Sequence, residues 1–304
     1  MSDAPSGQPP LAYPAPAKVN LTLHVLGKRA DGYHLLDSLI VFAGVGDLLE
    51  VAPDAELRLE EAGPNAGGMG EAQDNLVLRA ARLLLETCTP ETRARLHLDK
   101  RLPVAAGLGG GSSDAAAALV ALNRLWDCGL DGEALQALGA AVGADVPVCL
   151  FGRPAWVGGI GEDLVSAEPL PPAWFVLVNP GVALSTASVF RARSGGFSEP
   201  LRWPGPLWDG PPADAAELAA RLAAGRNDLE PPACALEPAI PAVLDALAAT
   251  EDCLLARMSG SGATCFGLYA AEAAARAAAE KLRGARPDWW VCAAPMLTDP
   301  IEGR

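Results

Sequence analysis

The chain has 304 residues, half of them hydrophobic and a fifth charged, which is ample material for one large core or two domains and excludes global disorder. Its 37 acidic residues against 23 basic ones leave a net charge of −14, a surface that repels phosphate backbones and anionic lipid, so no nucleic-acid or membrane partner is expected. Seven cysteines, none paired in a C-x-x-C, and three histidines at no metal-binding spacing indicate neither a disulfide framework nor a zinc site, and fit a reducing compartment.

The opening MSDAPSGQPPLAYPAP is Pro-rich, without a basic start or an apolar core, and reads as a flexible lead-in rather than a signal peptide. No apolar run approaches the roughly 20 residues of a membrane helix, so the expected location is the cytoplasm. KVNLTLHV from Lys18 alternates and is rich in β-formers, GKRADGYH is turn-like, and LLDSLIVF is apolar: strand, loop, strand. Residues 54–73 are acidic and Gly-rich, a predicted loop. Asp74 opens DNLVLRAARLLLE, whose Leu76, Ala80 and Leu83 share a helical stripe.

RARLHLDKRLPV is a strand candidate. In AAGLGGGSSDAAAALVALNRLW glycines give way to a helix-forming Ala/Leu run, with Ser112 or Ser113 as the expected N-cap, Gly129 as the stop, and alanines that let other elements pack closely. GEALQALGAAVG predicts a short helix and VPVCLF an apolar strand, which places Asp145 where one hands over to the other. The turn-rich GGIGEDL precedes a Pro-rich AEPLPPA and the buried-strand pattern WFVLVNP. A domain boundary is expected nearby, giving 1–158 and 159–304. The second part contains a Pro- and Trp-rich loop (195–213), helical ADAAELAARLAA and IPAVLDALAA, a hairpin-like RMSGSGATCFGLY, helical AEAAARAAAEKL and a strand WWVCAAPM. Mixed elements in both halves argue for α/β or α+β.

The segment GLGGGSSD, from Gly107 to Asp114, carries the most chemistry, because small residues feeding a helix expose backbone N–H groups at the positive end of its dipole, where a phosphate is held. No Lys-Ser or Lys-Thr follows, and the third position of a G-x-G-x-x-G is Ser112, so the two commonest nucleotide signatures are absent. Lys100 and Arg101, just ahead, either add positive charge or form a solvated pair at a strand end. The turn of residues 259–263 either faces phosphate or substrate or serves only a hairpin's geometry. His24 and His97, in strand-like apolar surroundings, are most simply structural.

PVAAGLGGGSSDAAA resembles the phosphate loop of the GHMP kinase superfamily. PAPAKVNLTLHVLGKRADGYHLLDS, GADVPVCL, GGIGEDL and RMSGSGATCFGLY, in that order over most of the chain, narrow the likeness to its diphosphocytidyl-methylerythritol kinases. The resemblance implies an α+β two-domain fold, an N-terminal domain like ribosomal protein S5 domain 2 and a C-terminal ferredoxin-like domain, with the active site in the cleft between them. It implies ATP-dependent phosphorylation of the 2-hydroxyl of 4-diphosphocytidyl-2-C-methyl-D-erythritol in the non-mevalonate isoprenoid route. The alternative is a kinase of another small alcohol, such as homoserine or mevalonate.

By the same resemblance Lys18 and Asp145 match the catalytic pair. Pro103, Val104, Ala105, Ala106, Gly107, Leu108, Gly109, Gly110, Gly111, Ser112 and Ser113, with Asn75, match the ATP site, and Asn20, Tyr33, His34, Thr186 and Phe190 the cytidyl substrate site. Mg2+ is expected with the triphosphate, Ser112 and Ser113 being candidate ligands, and no obligate protein partner is implied. Ala105 and Ala106 stand where many members carry glycine.

Overall fold

The structure is a computed structural model that describes residues 10–67, 75–201, 208 and 210–301. The first nine residues of the lead-in, the Gly-rich segment around Met69 and part of the 195–213 loop lie outside the described residues.

One strand organises the first half. β3 (His34–Asp54) pairs antiparallel with β1 (Leu11–Asn20), β2 (His24–Lys28), β5 (Arg93–Asp99) and β6 (Ala155–Gly158), and β4 (Arg58–Ala62) lies parallel to β5. Alternation between two cores explains why LIVFA, residues 39–43, is apolar throughout. Ile40 and Phe42 enter one core, with Val77, Leu84 and Leu119; Leu39, Val41 and Ala43 enter a second, with Val19, Leu21 and Phe175. A shift of register between Pro16 and Lys18 re-aims β1, so that Ala15 faces the first core while Ala17 and Val19 face the second.

Against the first core lie α1 (Leu76–Cys88), α2 (Gly110–Leu125), α3 (Gly132–Val142) and α4 (Val146–Phe151). The alanine run of α2 behaves as expected: Ala115 to Ala118 are all buried, and the helix packs on α1, α4, β1 and β3.

The remainder comprises β7 (Asp163–Ser166), β8 (Trp174–Asn179), α5 (Thr186–Ala192), α6 (Ala215–Leu222), α7 (Glu230–Leu236), α8 (Ala239–Ala248), β9 (Leu255–Met258), β10 (Cys265–Tyr269), α9 (Glu272–Ala285) and β11 (Trp290–Leu297). β11 pairs with both β8 and β3, joining the two halves in one sheet of order β4-β5-β3-β11-β8-β10-β9. A third core, with Val176, Val178, Val243, Leu247 and Leu282, packs α8 and α9 on this part of the sheet.

Several local expectations are overturned. VPVCLF is the helix α4, not a strand. Its residues 146–150 are buried on every side, which erases helical periodicity, and Pro147 sits in the first turn, where a missing N–H costs nothing. The acidic 54–73 stretch contains β4, whose Arg58, Glu60 and Glu61 suit an edge strand. β1 begins at Leu11, inside the supposed lead-in. Helix α2 ends at Leu125 rather than at Gly129.

Cys88 and Cys128 form a disulfide, contrary to the reading of seven isolated thiols. Packing of α1 on α2 brings the end of one beside the residues that follow the other, a proximity invisible at a separation of 40 residues.

Candidate active site

Site geometry begins at the end of β1. Lys18 is 4% exposed, and its Nζ donates to Asn20 Oδ1 at 3.0 Å while lying 3.3 Å from Asp145 Oδ2. The Asn20 amide is held in that orientation because its Nδ2 donates to Ser38 Oγ on β3 at 2.8 Å. Asp145 occupies the position before α4, but its carboxylate caps no N–H there and stays 48% exposed, so it is anchored on one side and open on the other. A buried ammonium thus faces a reachable carboxylate.

The glycine segment arches over this pair. The Lys18 backbone N–H donates to Leu108 O at 2.8 Å, and a Cβ on Gly109 would lie 2.9 Å from Lys18 Cε. Neither Ser112 nor Ser113 caps α2. Its N-cap is Gly109, in the left-handed region at φ 61° and without a side-chain bond, which leaves the first-turn N–H groups open to a ligand. Ala105 also takes a left-handed φ, 52°, which is why glycine would suit its position.

Residues 103–107 and 109–112 line a cleft of about 540 Å³, together with Lys18, Asn20, Asn75, Asp145, Thr186 and Phe190. Leu108 and Ser113 are buried away from that lining, so Ser112, not Ser113, presents a hydroxyl to the cleft. Asn75 stands at the head of α1, where its Oδ1 accepts from Val77 N at 2.9 Å and its Nδ2 donates to Glu61 at 3.2 Å.

His34, itself outside the cleft lining, stacks on Phe190, which lines it, with ring centroids 4.7 Å apart and planes at 22°. Burial, with Lys28 and Arg193 nearby, lowers the His34 pKa and keeps the ring neutral. Thr186 Oγ1 shares a hydrogen bond of 2.8 Å with Ser261 Oγ. Tyr33 is 56% exposed and is not brought into the cleft lining.

The turn of residues 259–263 turns out to serve both a hairpin and the cleft. It joins β9 to β10, and Gly260 and Ser261 line the cavity. Ser259, buried, accepts from Asn20 N at 3.1 Å and donates to Gly107 O at 3.0 Å, fastening the end of β1 to the glycine loop. A Cβ on Gly107 would lie 2.5 Å from Ser259 O, so only glycine permits this approach. Ser38 and Ser259 carry no signal of their own beyond the strings that contain them, PAPAKVNLTLHVLGKRADGYHLLDS and RMSGSGATCFGLY.

Lys100 is not a solvated charge. It is 2% exposed and donates to both Asp47 and Asp114, the latter at 2.7 Å. Burial pushes Asp114 up to about 7, against the opposing pull of Lys100. Lys100 itself is raised: burial opposes its charge, but Asp114 and Asp47 outweigh that cost. No sequence signal pairs Asp47 with residues this far along the chain.

Among families, that of the GHMP kinases N terminal domain matches residues 75–153, and that of the GHMP kinases C terminal matches residues 211–287. The chain is 58% identical over 286 residues to the 4-diphosphocytidyl-2-C-methyl-D-erythritol kinase of Paramagnetospirillum magneticum, covering 93% of this chain and 98% of that one. A crystal structure of 4-(cytidine 5'-diphospho)-2C-methyl-D-erythritol kinase superposes with a TM-score of 0.77 at 38% identity, over 94% of this chain and 99% of that one. Homoserine kinase from Cytophaga hutchinsonii shares the fold, with a TM-score of 0.74 at 18% identity over 100% and 99% of the two chains.

Proposed function

The chain belongs to the 4-diphosphocytidyl-2-C-methyl-D-erythritol kinase family of the GHMP kinases, and from that premise we propose the reaction it performs: transfer of the γ-phosphoryl group of ATP to the 2-hydroxyl of 4-diphosphocytidyl-2-C-methyl-D-erythritol, giving the 2-phosphate and ADP. Its fold is the two-domain GHMP kinase fold. Homoserine or mevalonate as acceptor is not favoured, since the homoserine kinase match is a likeness of fold at 18% identity. The division at residues 158 and 159 remains our placement of the domain boundary.

The observation that carries the chemistry is the 3.3 Å approach of Lys18 Nζ to Asp145 Oδ2 beneath the open end of α2. Asp145 orients the acceptor hydroxyl and accepts its proton as the phosphoryl group arrives. Lys18, positioned by Asn20, keeps that carboxylate ionised and offsets charge as it develops. Backbone N–H groups of the glycine loop and the first turn of α2 hold the phosphates, and Asn75 borders the nucleoside end. Phe190 and His34 supply aromatic faces for the cytosine, and Thr186 a polar contact beside them.

Among the described residues no group of three or more His, Cys, Asp or Glu could hold a metal by itself. Mg2+ keeps water and phosphate oxygens as ligands and needs only one or two protein oxygens; of the two candidates, Ser112 and Ser113, the Ser112 hydroxyl would offer one on the cleft wall. When bound, Mg2+ neutralises charge on the triphosphate.

No helix among the described residues is long and apolar enough to cross a membrane. We take small molecules to be the partners, with no nucleic acid, no membrane and no obligate protein partner, and the cytoplasm to be the location.

The test is ADP release with Mg-ATP, with and without the diphosphocytidyl substrate, beside homoserine and mevalonate. Stimulation by the cytidyl compound alone is expected. Stimulation by homoserine or mevalonate instead would move the chain to another acceptor.

A further inference from the structure

Three ionisable side chains are buried where the phosphate loop leaves the sheet and where it returns. Lys100 directly follows β5 and stands at the outgoing end of the loop; Asp114 lies in the second turn of α2, at its incoming end; their contact, Nζ to Oδ2 at 2.7 Å, closes the loop at its base. Asp47 on β3 completes the group. One of its oxygens accepts from Lys100, and the other accepts from Arg101 N at 2.6 Å and Leu102 N at 2.8 Å, the first two amides of the loop itself.

The group sits directly under the nucleotide's expected seat. A Cβ on Gly110, the first residue of α2, would lie 3.6 Å from Lys100 Nζ and 3.6 Å from Asp47 Oδ2. Lys100 borders the cleft but is 2% exposed, and its ammonium is engaged by the Asp47 and Asp114 carboxylates rather than offered to a phosphate. Burial on this scale is not explained by stability alone, because an apolar trio of similar volume would be neutral or better. Asp114 Oδ1 has no hydrogen-bond partner. What the charges supply is direction: Asp47 fixes the outgoing end of the loop, and the Lys100–Asp114 contact is possible only when both ends are in place.

We propose that Asp47, Lys100 and Asp114 form a clasp of positioning residues that holds the phosphate loop in its anion-binding shape and thereby sets affinity for ATP. The proposal rests on the kinase reading above. It assigns no chemical step to the clasp, which bonds to neither Lys18 nor Asp145; where the loop meets Lys18 it stays fastened by Lys18 N–H to Leu108 O and by Ser259 between Asn20 and Gly107. Loosening the clasp therefore weakens ATP and leaves the phosphoryl-transfer step and the second substrate alone.

The test compares wild type with the double variant Lys100→Met/Asp114→Leu, which removes the ionic link but leaves Asp47 to hold the two loop amides. Calorimetry with a non-hydrolysable ATP analogue is read beside steady-state kinetics, so that binding decides the matter even if the wild-type chain fails to turn over the cytidyl substrate. The expected result is a folded protein whose Kd for the analogue and KM for ATP rise about tenfold, with kcat and the other KM within about twofold. Unchanged nucleotide affinity, or equal losses for both substrates, would overturn the clasp. Should the double variant not fold, the near-isosteric Asp114→Asn is read in the same way, with about a threefold rise expected and no rise overturning the proposal.

Discussion

Lys18 on β1 and Asp145 at the head of α4 meet at 3.3 Å although neither lies in the glycine loop that sits above them. The pair is asymmetric. Lys18 is locked by Asn20 inside the sheet, and Asp145 presents its carboxylate to the cleft, the arrangement that the proposed division of roles requires.

Asp145→Asn keeps the shape and removes the proposed base. Turnover should fall by about 10²-fold or more, while the ATP analogue binds within about twofold of wild type. ADP release and calorimetry check the two halves, and a variant with wild-type turnover would remove Asp145 from the mechanism.

Gly107→Ala meets two obstacles at once, a φ of 75° and the Ser259 carbonyl 2.5 Å from the new Cβ. A loss of about 1–3 kcal/mol is expected in denaturant unfolding, with nucleotide affinity reduced because the loop must shift. At Ala105, also left-handed at φ 52°, the change to glycine should be close to neutral, since relief of strain offsets the freedom gained by the unfolded chain. Equal destabilisation by the two substitutions would contradict the steric account.

Asp114 makes stability depend on pH in an unusual direction. Its carboxyl titrates near 7 in the folded chain and near 3.8 when unfolded, so between these values the folded state holds a proton that the unfolded state has released. Its contribution to stability is therefore lost progressively as pH rises through that window, and levels off above about 7. The Tm advantage of Asp114→Asn over wild type should grow from pH 5 to pH 8. Parallel Tm curves for the two proteins would show that Asp114 does not titrate there.

Phe190→Ala removes the ring on which His34 stacks. The KM for the cytidyl substrate should rise about tenfold or more, on the scale of one lost stacking contact, and the KM for ATP should hold. Neutral His34 keeps its stacking role unchanged between pH 7 and pH 9, because burial and the charges of Lys28 and Arg193 hold its pKa below the usual histidine value. A rise in both KM values would show that Phe190 supports the whole cleft rather than one subsite.

Much of the site was legible from local strings, because a phosphate loop is a local device: glycines, small residues and a helix start within a dozen positions. Lys18, Asn20, Asn75 and Asp145 fall on the cleft wall as their motifs imply. Local strings were poorer guides where burial hid the period. VPVCLF is apolar on every side and so reads equally as strand or helix, and residues 58–62 are too charged to read as a strand until an edge position accounts for them.

The amino-acid sequence by itself determined that there is apolar material for a large core or two domains, the helices with a clear stripe, the hairpin around residues 259–263 and the family of the phosphate loop, since these depend on composition or on residues close together in the chain. Only the tertiary structure decided that Ser259 ties Asn20 to Gly107, that Asp47 and Asp114 enclose Lys100, and that Cys88 meets Cys128. The physical reason is the same for all three. Such contacts follow from strand pairing and helix packing that bring distant segments together, and a side chain's charge or thiol does not reveal, from its neighbours in the chain, which surface will be folded against it.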